Sequence, residues 1–169
     1  MTDVVAERGQ PSIELLTGVA DFAARATQMV SQAGSEIVLL SQDLDRRVYA
    51  TEVFGEALRR FVLQHQNTKV RILVNHTRAA ISNSPRLIEM GRALSSFVEF
   101  REVPRVRQQV TRDEYLITDG RLMLYRETPQ DLEARYYGTS PAQARMKQRF
   151  FDAIWNDATT AQELRKLSL

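Results

Sequence analysis

The apolar positions of this chain change period several times, and each change marks an element. Residues 1–12 are polar and end in Gly9-Gln10-Pro11, the composition of a flexible arm. From Thr17 to Ala33, residues Val19, Phe22, Ala23, Ala26, Met29, Val30 and Ala33 fall on one helical face. Glu36 to Ser41 is a continuous apolar run, the pattern of a strand buried on both faces. Gln42 to Arg47 is a polar loop. Thr51 to Gln66 returns to helical spacing with Val53, Phe54, Ala57, Leu58, Phe61 and Val62. Lys69 to Asn75 is a second buried strand, followed by a loop to Asn83. Ser84-Pro85 opens a helix to about Ser95, since proline is preorganised at the first helical position. Phe97 to Val103 alternates as a third strand.

Thr111 to Glu127 reads as strand, tight turn, strand. Asp119-Gly120 between two apolar runs is a hairpin signal, because a type I′ turn needs positive φ at both central residues. A two-residue turn is expected there. Residues 128–139 read as an irregular crossing. Ser140-Pro141 then starts a helix with Met146, Phe150 and Ile154 on one line and Phe151 and Trp155 beside it. Strands alternating with helices imply parallel pairing with right-handed crossovers. The pattern therefore predicts an α/β fold with a mixed, mostly parallel sheet flanked by helices on both faces. One domain over residues 13–169 is expected, preceded by the arm.

Composition narrows the class. The 169 residues are 43% hydrophobic and 26% charged, ordinary values for a globular domain with a sizeable core. No apolar run reaches membrane-spanning length and no signal peptide is visible, so the expected location is the cytoplasm. There is no cysteine, which excludes disulfides and thiolate metal sites. Net charge is only +2, yet 20 arginines stand against 3 lysines. Arginine suits bidentate contact with carboxylate or phosphate, although surface ion pairs absorb most such residues. Arg101, Arg105, Arg107, Arg112, Arg121 and Arg126 cluster in sequence and make a candidate basic ridge for nucleic acid.

Loops at the carboxyl ends of strands are where open α/β sheets bind ligands. Gln42, Asp43, Asn75 and His76 leave the first two strands there and are expected to rim one crevice. His65 ends a helix and reads as a solvated side chain. No second histidine or carboxylate cluster with ligand spacing accompanies His76, so neither a metal site nor a cofactor is expected.

The ordered strings EIVLLSQ, KVRILVN, VEFREV, YLITDGRLMLY and FFDAIWNDA resemble one half of the phospholipase D superfamily across residues 15–158. They are also similar to its single-repeat bacterial members. The family carries a His-x-Lys-x4-Asp signature. Laid on this chain by Asp119, the histidine position is Arg112 and the lysine position is Glu114. The following Gly-Ser-x-Asn segment is absent, replaced by Arg126-Glu127-Thr128-Pro129.

In the family, the resemblance implies, a histidine attacks phosphorus and a second protonates the leaving group. A guanidinium stays protonated and offers no lone pair, so Arg112 cannot serve as that nucleophile. Glu114 puts a negative charge where phosphate would sit, worth several kcal/mol against binding at about 4 Å and ε near 20. The expectation is a non-catalytic domain that dimerises and binds a phosphate-bearing ligand, nucleic acid or a protein partner. Alternatives are a divergent phosphodiesterase or nuclease using His76 or a carboxylate, and a purely structural partner domain. Because the family brings two motifs together and this chain holds one, a homodimer is expected with Arg112 of one copy beside Glu114 of the other.

Overall fold

Asp119 has φ 54° and Gly120 φ 64°, so the central turn has the left-handed geometry its sequence demands. The Arg121 N–H closes it on the Thr118 carbonyl at 3.0 Å. Beyond the turn, however, Thr118 pairs with Leu122. Arg121 is thus one extra residue, and every cross-strand partner is displaced by one from a two-residue hairpin. This register sets Glu114 directly opposite Arg126.

The computed structural model describes residues 13–160 and 163. The expected arm at 1–12 lies outside them, as does most of the tail. The described elements are β1 (Ile13–Thr17), α1 (Val19–Gln32), β2 (Glu36–Ser41), α2 (Arg46–Tyr49), α3 (Glu52–Gln64), β3 (Lys69–Val74) and α4 (Thr77–Asn83). They continue with α5 (Pro85–Ala93), β4 (Val98–Glu102), a 3₁₀ turn at Arg105–Arg107, β5 (Glu114–Thr118), β6 (Leu122–Arg126), β7 (Glu133–Tyr137) and α6 (Pro141–Asp157).

Seven strands form one sheet in the order β1-β7-β6-β5-β2-β3-β4. Only the β2–β3 and β3–β4 pairs are parallel. The β1–β7, β2–β5, β5–β6 and β6–β7 pairs are antiparallel. The sheet is mixed as expected, but mostly antiparallel rather than mostly parallel. Two strands absent from the sequence reading, β1 and β7, account for much of the difference. β1 is largely exposed and β7 mixes buried with exposed charged positions, so neither shows the continuous apolar run of β2.

Helices cover both faces. Helices α1, α3 and α5 bury Phe22, Met29, Phe54, Leu58, Phe61 and Leu87 against one face. On the other, α6 packs Ala144, Phe151, Ile154 and Trp155 over Val38, Leu40, Leu73, Tyr115 and Ile117. The buried line of α6 thus differs from the expected one: Met146 and Phe150 are 48% and 60% exposed. Among the described residues α6 is the one helix on that face. No helix among them is long and apolar enough to cross a membrane.

At the turn end of the sheet, Asp119 ties the hairpin to the start of β2. Its carboxylate accepts the N–H groups of Gly34, Ser35 and Glu36 at 2.8–3.0 Å, and the Ser35 hydroxyl. Partial burial pushes this carboxyl up, but those donors outweigh burial and hold it below the ordinary value. A depressed folded-state pKa contributes stability that is whole above the unfolded value and is lost as pH falls through the folded one. Asp119→Asn is therefore expected to flatten the acid limb of the stability curve below about pH 4 while leaving its slope above about pH 6 unchanged. Urea midpoints measured across that range check this.

Candidate functional site

Every second residue of a strand faces one way, and Glu114, Leu116 and Thr118 of β5 face α1 and α3. Glu114 is consequently 1% exposed and Arg126, opposite it on β6, 3%. A buried charge needs a partner, and these two partner each other. Arg126 donates from Nε at 2.8 Å and from one terminal nitrogen at 2.6 Å, both to Glu114 Oε2. The other oxygen, Oε1, accepts the hydroxyls of Ser41 at 3.0 Å and Tyr49 at 2.9 Å. Ser41 Oγ in turn accepts the Leu44 N–H. The Arg126 guanidinium lies 4.4 Å from the centre of the Phe22 ring and 3.9 Å from Asp45.

Burial pushes the Glu114 carboxyl up, against the pull of Arg126 and the two hydroxyls. Burial, then the charge of Glu114, drives the Tyr49 hydroxyl well above its ordinary range, so it stays protonated. Asp45 is held low: its partial burial is outweighed by hydrogen bonds from the Arg47 side chain and backbone. Both Glu114 oxygens and the hydroxyls of Ser41 and Tyr49 are thus engaged within the chain. A cavity of about 490 Å³ opens beside it, lined by Asp43, Asp45, Arg46, Arg47, Asn83 and Arg126 among others.

Next to this cluster a belt of amides holds the approach to β5. Gln42 Nε2 donates to the Thr111 carbonyl at 2.7 Å, and Asn75 Nδ2 donates to the same carbonyl at 2.8 Å and to Gln42 Oε1 at 2.7 Å. Gln42 and Asn75 therefore meet at one place, as their positions after β2 and β3 predict. Their polar atoms are engaged by the backbone of β5's approach, by the Thr111 hydroxyl and by each other. Asp43 is half-buried, and its carbonyl accepts from Asn83 at 3.0 Å. His76 is exposed at the start of α4 and its ring makes no cap bond. His65 is exposed at the end of α3. The two imidazoles flank opposite ends of the six-residue β3, roughly 20 Å apart at ~3.3 Å per residue.

The motif positions separate. Asp119 serves the turn at the far end of β5 from Glu114. Arg112 lies outside the strand, exposed, with no hydrogen bond or ion pair to another described residue. The expected seam between Arg112 and the Glu114 of a second copy does not arise, because Glu114 is enclosed and fully paired inside its own subunit. The candidate basic ridge also disperses. Arg126 is buried, Arg107 pairs with Asp157, and Arg101 bonds Glu99 and lies 4.3 Å from the Trp155 ring centre. Arg121 sits at the turn end. Arg105 and Arg112 alone of the six remain together, exposed and unpaired among the described residues. Arg126 was placed in the basic ridge rather than as the buried partner of Glu114; an ionisable residue at the start of an apolar strand, Glu114, was the available signal.

The fold is phospholipase D-like, as its likeness to the solved structures below shows. Within that class, the chain belongs to the family described as Domain of unknown function (DUF7931), whose model matches residues 18–167. No curated protein matches it by sequence. Its fold is similar to that of TrmBL2, an archaeal chromatin protein whose structure shows a novel mode of DNA binding, at TM-score 0.64 and 14% identity over 92% of this chain and 57% of that one. NucT from Helicobacter pylori is similar at TM-score 0.63 and 7% identity, over 89% of this chain and 99% of NucT. Phosphatidylserine synthase from Haemophilus influenzae Rd KW20 is similar at TM-score 0.59 and 10% identity, over 93% of this chain and 41% of the synthase. The chain thus spans about half the length of the chromatin protein and less than half that of the synthase. At these identities the likeness is one of fold.

Proposed function

We propose that this domain is a non-catalytic phospholipase D-like module that binds the phosphate backbone of nucleic acid at the motif end of its sheet. The observation that carries the first half is the buried Glu114–Arg126 pair. It fills the lysine position with a carboxylate and satisfies it internally, so no ammonium is left there for a phosphoryl group. No imidazole stands beside it, and Tyr49 is held protonated. Binding is supported by Arg46, Arg105 and Arg112, exposed around the same end of the sheet without an ion pair among the described residues. A neighbour in fold binds DNA, which is consistent with this reading.

The homodimer belongs to the same reading. Met146 and Phe150, exposed on α6, offer a second copy an apolar place to sit. Titrating a fluorescently labelled DNA duplex and following anisotropy tests the binding. Three phosphate contacts predict a slope of about −3 in log affinity against log salt. A duplex that does not bind at low salt contradicts the reading. Light scattering at micromolar protein reads the mass, expected at twice that of the chain.

A further inference from the structure

The segment from Pro104 to Asp113 combines a fixed backbone with bare side chains. Gln108 Nε2 donates to the carbonyls of Asn75 and Val103, at 3.2 and 3.0 Å. The Thr111 carbonyl is held by Gln42 and Asn75, and its hydroxyl donates to the Arg107 carbonyl at 2.9 Å. Ion pairs from Arg107 to Asp157 and from Lys147 to Asp113 clasp the segment to α6. On this frame Val106 is 90% exposed and Val110 80%. Arg105 and Arg112 flank them, exposed and unpaired among the described residues. Valine is stiff about χ1, so its methyl groups are presented in one arrangement. The segment thus offers two fixed valine side chains and two unpaired guanidinium groups to one partner.

Charge selects the partner. In a two-fold contact through this segment, Arg105 and Arg112 would meet their own copies, and like charges repel. The segment has no aromatic residue to anchor at a membrane interface. A polyanion with apolar edges between its charges answers both features. We infer that residues 104–113 are the nucleic-acid contact element of this domain, with Arg105 and Arg112 on backbone phosphates and Val106 and Val110 pressed against sugars and base edges of the DNA minor groove. This rests on the nucleic-acid reading above and adds which residues read the ligand and how.

The test uses the full chain and one labelled duplex, with four proteins: wild type, Val106→Ser with Val110→Ser, Arg105→Gln with Arg112→Gln, and Arg121→Gln with Arg145→Gln at the opposite end. All the altered side chains are exposed, so urea midpoints should stay at the wild-type value and confirm folding. The valine double variant is expected to bind about tenfold more weakly with an unchanged salt slope, since apolar contact is lost and charge is kept. The Arg105/Arg112 variant should bind more weakly and lose about 2 from the slope, and the turn-end variant should match wild type. If wild type binds and the two segment variants bind equally well, this inference falls while the nucleic-acid reading stands. If wild type does not bind the duplex, both fall. Co-sedimentation with anionic phospholipid vesicles that depends on Val106 and Val110, without duplex binding, overturns it in favour of a membrane surface.

Discussion

Glu114→Ala is expected to cost about 3–5 kcal/mol, because it leaves the Arg126 guanidinium buried without its counter-charge. Arg126→Ala should cost a similar amount, since the carboxylate would keep only the hydroxyls of Ser41 and Tyr49. For a domain of this length such a loss lowers the melting temperature by roughly 10 °C or more. The informative quantity is the double variant. Once both charges are gone no orphan ion remains, so the pair together should cost less than the sum by about 2 kcal/mol or more. Urea unfolding of the four proteins measures the cycle. Additive costs would mean that the 2.6 Å and 2.8 Å contacts do not couple the two residues. Glu114→Lys, which installs the lysine of the phospholipase D signature, is expected to be worse than either alanine change. It sets an ammonium against the guanidinium in the same enclosed space.

The second large effect is expected at Phe151. Its side chain is 0% exposed, stacked on Trp155 at 5.7 Å and edge-on to Tyr115 at 6.4 Å. Phe151→Ala should cost about 3–5 kcal/mol, lost burial plus the cavity left behind. The consequence reaches beyond stability. Helix α6 carries Lys147 and Asp157, the two clasps on the segment that holds Arg105 and Val106. Hydrogen exchange should therefore show faster opening of α6 and of residues 104–113 together, before the amides of β2 and β3. Uniform loosening of the whole domain would argue that α6 and the segment are not one unit.

Strands β2 and β3 were legible because each carries a continuous apolar run, Ile37 to Leu40 and Ile72 to Val74, and the hairpin because Asp119-Gly120 admits few other conformations. Strand β1 was not, since Ile13, Glu14 and Leu15 are all exposed, and β7 was not, since its buried Ala134 and Tyr137 stand among the charged Glu133 and Arg135. Without them the sheet reads as mixed and mostly parallel. The register of the hairpin was the costlier gap. A two-residue turn sets Glu114 opposite Tyr125 and hides Arg126 from it. The one extra residue, Arg121, moves Arg126 into place, and a shift of one residue changes every partner across a ladder. Gln42 and Asn75 were correctly placed together by their positions after two parallel strands. Their engagement by Thr111 was not visible, because that contact joins residues 36 and 69 positions apart.

Loss of phosphoryl transfer at the Arg112–Glu114 positions is the central proposal. The direct measurement is hydrolysis of a chromogenic phosphodiester and of labelled DNA by the purified chain, with and without divalent cations, beside Arg112→Ala and His76→Ala. Release of product at the rate of buffer alone for all three proteins is predicted. Turnover by the wild type that disappears in either variant would contradict it.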